Sequence, residues 1–298
     1  LAFGFSLAYG DSGNGFIGDL SWSGLTSLVG QLADNGGTYP IPALAFVMFQ
    51  LMFAIITVAL ISGAVADRIL GASLLYFGWF GFNAGSALGA NDLAAVAFTN
   101  TMVATAAAIL GWLLVEKLRD GHATSLGAAS GAVAGLVAIT PACAFVAPWG
   151  AIAIGLIAGV VCAFAVTLKY KLGYDDSLDV VGVHMVGGIV GCLLIGFFAT
   201  TAVNKAGKDG LFYGGGLGVL GTQAIGAFSV LIYSFVISLI LALILKYTVK
   251  LRVSRDDEQS GIDLAVHAET AYVLGESGGG GVFAGVGHAG RNASEAQS

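Results

Sequence analysis

The stretch DVVGVHMVGGIVG, from Asp179 to Gly191, sets an imidazole inside an otherwise apolar run. Ionisable side chains in membrane-length apolar segments face a bundle interior or a cavity and mark substrate paths. The plainer alternative for His184 is a neutral imidazole bonded to a neighbouring helix. Asp179 stands five positions earlier, roughly 7–8 Å along a helix axis and on a different face of a straight helix. With Asp175 and Asp176 it is expected to cap the helix start, where negative charge meets the positive end of the dipole. A second group of residues is aromatic and polar. Phe49 and Phe53 in FVMFQLMF are four apart and share a helix face, with Gln50 between them. GWFGFNAGSA gathers Trp79, Phe80, Phe82, Asn83 and Ser86 in one short span. These aromatics read either as packing residues or as the lining of a pore, and Asn83 reads either as a tie between helices or as a ligand contact.

Other chemistries find no residues. A metal site needs several ligands, and no second intramembrane histidine or Cys–His cluster supplies them. Cys143, Cys162 and Cys192 lie far apart in apolar runs and read as small buried residues. No nucleophile–base arrangement suggests an enzyme. GLGVLG, from Gly216 to Gly221, fits the dinucleotide pattern, but a Gly-rich loop precedes it and a membrane run follows, so helix packing is the expected role.

The elements that position these residues must be membrane helices. Hydrophobic residues make up 57% of the 298 and charged residues only 10%, against about 25% charged in soluble domains. Mean hydropathy is +0.88. An integral all-α membrane protein follows, with no basic cluster for nucleic acid and no cofactor motif. Apolar runs predict spans over 41–66, 70–90, 94–116, 124–146, 149–168, 180–203 and 218–247. Residues 1–9 read as the last turns of an earlier span. The chain opens at Leu1 with no charged n-region, so no signal peptide is expected and the N-terminus is expected to be missing.

The first basic residue is Arg68, and the loop 10–40 carries Asp11, Asp19 and Asp34 without a lysine or arginine. That loop is expected outside. Arg68, Lys117 with Arg119, Lys169 with Lys171, and Lys246 to Arg255 then all fall inside together, leaving only Lys205 and Lys208 outside. Two regions follow: a transmembrane domain over 1–248 and a cytoplasmic tail over 249–298, Gly-rich and expected to be disordered after about 273. Glycine accounts for 46 residues, and much of it recurs at spacing four: Gly127, Gly131 and Gly135; Gly155 and Gly159; Gly187 and Gly191. Small residues at that spacing let membrane helices approach closely.

The pieces together resemble the ammonium transporter family (Amt/Mep/Rh). FQLMFAIITVALISGAVADRI (49–69), GWFGFNAGSALGAND (78–92), GAASGAVAGLVAITPA (127–142), DDSLDVVGVHMVGGIVG (175–191) and GIDLAVHAETAY (261–272) are close to family signatures. The resemblance implies an ammonium-transporter-like helical bundle whose first ten helices form inverted five-helix repeats, usually a homotrimer with one pore per subunit. It implies ammonium recruited and deprotonated at the outer mouth and passed as ammonia along an apolar pore. His184 matches the second of two pore histidines. Phe53 and Phe82 match the stacked rings at the outer mouth, Ser86 the recruitment-site serine with Phe49 beside it, and Trp79 a pore-flanking tryptophan. In many prokaryotic relatives the tail meets a PII signalling protein, and the location implied is the plasma membrane with the C-terminus cytoplasmic.

The sequence departs from the family pattern between Arg68 and Leu70. There the family has a hairpin, its fourth and fifth helices, which carries the first pore histidine and the recruitment-site tryptophan. The first helix and most of the second are expected to be absent as well, which would leave the first repeat incomplete. Met185 stands where the family often has glycine. The function implied is ammonium/ammonia transport across a membrane. The alternatives are a non-conducting ammonium sensor with the strip 255–272 as its output, or an inert fragment of a transporter.

Overall fold

A computed structural model describes residues 4–9, 19–22, 28, 31–33, 41–50, 68–248, 253–254 and 256–257. Phe53, most of the loop 10–40, the rest of the span 41–66 and most of the tail lie outside the described residues. The described elements are helical apart from one two-residue pair, β1 (Leu32–Ala33) antiparallel to β2 (Ile41–Pro42). The helices are α1 (Gly4–Tyr9), a helical stretch over 43–50, α2 (Arg68–Gly85), α3 (Asp92–Asp120), α4 (Ser125–Ile139), α5 (Pro148–Ala165), α6 (Leu168–Leu172), a π-turn (Val181–Met185) running into α7 (Val186–Phe198), and α8 (Gly218–Thr248). Among the described residues, four helical runs are long and apolar enough to cross a membrane: Asp92–Asp120, Pro148–Leu172, Val181–Phe198 and Gly218–Thr248.

The helix ends follow from local chemistry. Asn91 caps α3 by accepting from the Ala94 N–H at 2.9 Å. Thr124 caps α4 by accepting from the Gly127 N–H at 2.8 Å. Pro148 opens α5 at a position where no amide donor is needed. Three predicted spans end early, the span 70–90 at Gly85. The span 124–146 stops as a helix at Ile139 because Pro141 has no N–H to continue the ladder and the chain turns through 140–145. At 15 residues, α4 reaches about 22 Å, less than the ~30 Å hydrocarbon layer. The span 180–203 stops at Phe198, where Ala199 turns extended and bridges Val146. The Thr200 N–H then donates to the Phe145 carbonyl at 2.9 Å.

The core is built on α3. Its small residues Ala104 and Ala108 are fully buried because two glycine stripes press on them. A methyl group added at Gly155 would meet the Ala104 carbonyl, and one at Gly159 the Ala108 carbonyl. From the other side, a methyl at Gly135 would lie 2.6 Å from the Ala108 Cβ and one at Gly131 2.8 Å from the Trp112 Cβ. Gly191 of α7 abuts the Ala138 carbonyl of α4 in the same way. Helices α3, α4, α5 and α7 are thus in backbone contact, as the spacing-four pattern implies. Gly127 differs from its stripe: the space beside it holds the Glu116 carboxylate. Glu116 also accepts from the Thr124 N–H at 2.9 Å and from the Trp112 indole N–H at 3.2 Å.

Ile139, Val146, Ile154, Ile195 and Phe198 fill one apolar cluster; Trp112, Val115, Cys162 and Val183 fill a second beneath the π-turn. The GLGVLG stretch does not pack through its own glycines. Gly218 and Gly221 face open space, Gly216 takes a left-handed turn at φ 67°, and the close contact is made by Gly196 of α7 against the Leu220 backbone. Two compact units divide within α8, at Ile232 and Tyr233. In the second unit the described residues are the end of α8 and a short turn in which the Asp257 carboxylate accepts from the Ser254 hydroxyl at 2.7 Å. The best apolar window of α8 has no buried residue.

Candidate pore face and the His184 turn

Helix α2 carries the aromatic group. Trp79, Phe82, Asn83 and Ser86 recur at three- and four-residue spacing and so lie along one side of it. Each is tied. The Trp79 indole N–H donates to the Thr140 hydroxyl at 2.7 Å, which reaches across to the end of α4. The rings of Trp79 and Phe82 lie 5.5 Å apart at 49°. The Asn83 amide donates to the Thr101 hydroxyl of α3 at 2.9 Å. Asn83 is only 5% exposed, so this bond ties helices in the low-polarity interior, and its carbonyl oxygen has no protein partner. Ser86, at the exposed end of α2, donates its hydroxyl proton to the Phe82 carbonyl at 2.5 Å. That leaves its oxygen lone pairs free to accept from a ligand. Phe49 is half-buried in the helical stretch 43–50; Phe53 lies outside the described residues.

His184 is half-buried in the π-turn Val181–Met185. There the Val186 N–H reaches back five residues to the Val181 carbonyl. The extra residue per turn rotates the imidazole relative to a regular helix, and such single π-turns are common at functional sites. Met185 beside it is 39% exposed, so its side chain lies on the outer side of this chain rather than within the packed interior. Helix α2 and the π-turn both pack against α4, so the aromatic face and His184 flank one helix.

The acidic residues do not act as the spacing suggests. The cap of the π-turn is Asp176, whose carboxylate accepts from the N–H groups of Val180 at 2.8 Å, Val181 at 3.0 Å and Gly182 at 3.3 Å. Asp179, expected to share that cap, instead takes a left-handed conformation at φ 58°. Aspartate enters this region more readily than most residues with a Cβ. Its carboxylate pairs with Lys169 at 2.5 Å, with the two side chains 13% and 14% exposed. The Lys169 ammonium also donates to the Asp176 carbonyl at 2.8 Å. From below, the Cys162 thiol donates weakly to the Val183 carbonyl at 3.8 Å. A π-turn, and a pairing across the end of α6, leave no mark in hydrophobic periodicity, which is why spacing alone missed Lys169 and assigned Asp179 to the cap.

The geometry defines a class: a helical membrane bundle with a tied aromatic face on one element and an imidazole on a distorted turn of another. The sequence pattern that defines the Ammonium Transporter Family matches residues 1–69 and 68–272, and this chain belongs to that family. An ammonium transporter of Mycobacterium bovis is 44% identical over 376 positions, covering 91% of this chain and 79% of the relative. Because 91% of 298 residues is about 270, about 100 of those positions have no residue here. The two matched blocks meet at Arg68 and Ile69, the place at which the sequence departs from the family pattern. The crystal structure of Candida albicans Mep2 superposes with a TM-score of 0.60 at 35% identity, over 63% of this chain. That superposition spans 43% of the Mep2 chain, less than half its length. A structure described as a sensor Amt protein superposes with a TM-score of 0.57 at 32% identity, over 66% of this chain and 48% of the other.

Proposed function

We propose that this chain serves ammonium/ammonia transport across a membrane, with the side of α2 that carries Trp79, Phe82 and Ser86 receiving ammonium and His184 lining the path inward. The observation that carries this reading is the state of Ser86. Its hydroxyl proton is committed to the Phe82 carbonyl, so it meets a ligand as an acceptor. The rings of Phe82 and Trp79 stand within 5.5 Å of each other one turn away, and aromatic faces attract cations by about 0.5–2 kcal/mol. An acceptor and aromatic faces together favour ammonium over a metal ion, which would ask for more oxygen ligands. Phe53 and Phe49 complete the mouth in this reading. Beyond it, an apolar bore excludes the cation, whose desolvation cost is large, and admits neutral ammonia. At the mouth ammonium gives its proton back to the outer water and leaves as ammonia, and the His184 imidazole donates to and accepts from ammonia as it passes. Asn83 holds the α2 face to α3. The reading extends to a homotrimer in the plasma membrane with a cytoplasmic C-terminus, contacted there by a PII-type protein.

A second reading is a non-conducting ammonium sensor, favoured by the likeness to the sensor Amt structure. Ammonia entry into proteoliposomes carrying the 298-residue chain, followed as internal alkalinisation, separates the two. Transport requires a saturable rate above that of protein-free liposomes, which His184→Ala abolishes or alters and Ser86→Ala shifts to higher ammonium concentration. A sensor gives no rate above that of protein-free liposomes, with ammonium-dependent protection of 255–272 against exchange.

A further inference from the structure

Lys169 has no part in the proposed path, yet it touches two residues at the start of the turn that presents His184. Its ammonium donates to the Asp176 carbonyl at 2.8 Å and to the Asp179 carboxylate at 2.5 Å. Asp176 is the cap on which the amides of Val180, Val181 and Gly182 converge. Asp179 is the left-handed residue from which the turn departs, and its carbonyl accepts the Val183 N–H at 2.8 Å. Three consecutive features therefore hang on one ammonium: the cap, the left-handed residue and the first hydrogen bond of the turn.

The geometry points to Lys169 as a positioning residue that sets the rotation of His184 by clamping Asp179 in its left-handed conformation. This inference rests on the reading that His184 lines the path. The clamp suits its place. Gly182 is closed against the Val166 backbone, where an added methyl would lie 2.8 Å from the Val166 Cα, so the turn cannot shift toward α5. The Cys162 thiol holds the Val183 carbonyl on the same side. The free direction is rotation about Asp179, which a residue with a Cβ takes up readily by returning to negative φ. Rotation there would unwind the π-turn and carry His184 around the helix axis. A pair only 13% and 14% exposed is poorly screened by solvent, and a charge-assisted bond there resists such rotation.

The test uses the full 298-residue chain in lipid nanodiscs, with Lys169→Met, Asp179→Asn and the double variant. Asparagine tolerates the left-handed region and cannot form the ion pair. Two readouts are taken: hydrogen exchange of the amides 180–186, and the nitrogen-15 signals of the His184 imidazole. Lys169→Met is expected to speed exchange across 180–186 by about tenfold or more, the factor for losing a charge-assisted bond, and to shift or split the His184 signals. Exchange in α3 should stay unchanged. The double variant should exchange no faster than Lys169→Met alone, because both changes break one clamp. Unchanged exchange and His184 signals in Lys169→Met would overturn the inference. Multiplying effects in the double variant would do so too, since the two residues would then act separately. A rise in α3 exchange would reassign Lys169 to general support of the bundle and equally overturn it. If Lys169→Met fails to fold, Asp179→Asn decides alone: an unmoved His184 signal refutes the clamp and a moved one supports it. None of these readouts needs flux, so missing ammonia entry would refute the transport reading without touching this one.

Discussion

Replacing Gly155 by alanine sets two effects of opposite sign against each other. Alanine is the better helix former by about 1 kcal/mol in a helix interior, which favours the variant. Against this, the new methyl would meet the Ala104 carbonyl of α3. That neighbour is backbone in a fully buried segment, flanked on its other side by α4 through Gly135. It has no rotamer to yield, so the helices must separate. Overpacking of this kind costs about 1–3 kcal/mol, with loss of the dispersion contacts along the rest of the α3–α5 seam. The matched control is Gly81→Ala in α2, where nothing lies within 4 Å of the added methyl. Both glycines are helix-interior, so the propensity gain is common and the difference between the variants isolates the contact. We expect Gly155→Ala to be less stable than Gly81→Ala by about 1–3 kcal/mol, read as a shift in reversible unfolding in mixed micelles by far-ultraviolet circular dichroism. Equal or greater stability of Gly155→Ala would refute the claim that the α3–α5 seam is set by backbone contact at this glycine.

Glu116→Ala removes the acceptor for the Thr124 N–H and the Trp112 indole, so exchange at residues 124–128 should rise by about tenfold, the equivalent of ~1.4 kcal/mol, with little change in α7. Trp79→Phe keeps one aromatic ring but loses the indole's second ring and the 2.7 Å bond to Thr140; it should lower stability by about 1 kcal/mol or more, whereas Thr140→Val, which also gives up the hydroxyl bond to the Leu136 carbonyl, should cost less in that background than alone, a non-additivity measurable in the same unfolding assay. The Asp209 carboxylate is held below the ordinary carboxylate range, chiefly by the Thr201 N–H and then by its hydroxyl. A depressed folded-state value means that this contribution is present above the unfolded pKa of about 3.9 and is lost as pH falls through the folded one. Protection of the Thr201 N–H, taken relative to its intrinsic exchange rate, should therefore fall in acid below that range, and Asp209→Asn should abolish that fall.

The sequence made the frame legible because membrane packing writes itself in small residues at fixed spacing. Gly131, Gly135, Gly155, Gly159 and Gly191 each meet a neighbouring helix, and an apolar run of spanning length has few alternative folds. Helix ends were less legible: 124–146 and 180–203 read as unbroken apolar runs, yet Pro141 and the Val146–Ala199 bridge end their helices early. The residues of the aromatic face were legible as a list, through family resemblance, but not their hydrogen-bond partners. Thr140 and Thr101, which hold Trp79 and Asn83, stand 61 and 18 positions away, and no local pattern links residues at such separations. The π-turn was illegible for a further reason. It is a fault in helical phase, held by Asp176, Lys169 and Cys162 from outside the turn, and period-based reading assumes that phase is constant.

The two kinds of information divide the molecule in a way that bears on its chemistry. The frame of α3, α4 and α5 is fixed by backbone contact, which has no alternative rotamer and tolerates little displacement. The candidate side chains are attached by one or two directed bonds: Trp79 to Thr140 and Asn83 to Thr101 on that frame, and the His184 turn to Cys162 of α5 and to Lys169 of the neighbouring α6. In a low-polarity interior a directed bond is strong while it is made and costly when broken, so each attachment fixes one geometry rather than allowing gradual drift. Frame glycines and attachment residues should therefore fail differently. Gly155→Ala should disturb all attachments together, whereas Lys169→Met should move His184 and leave the other attachments in place. Finding that Gly155→Ala displaces the His184 signals no more than Gly81→Ala does would show that the turn is independent of the frame, and the division argued for here would fail.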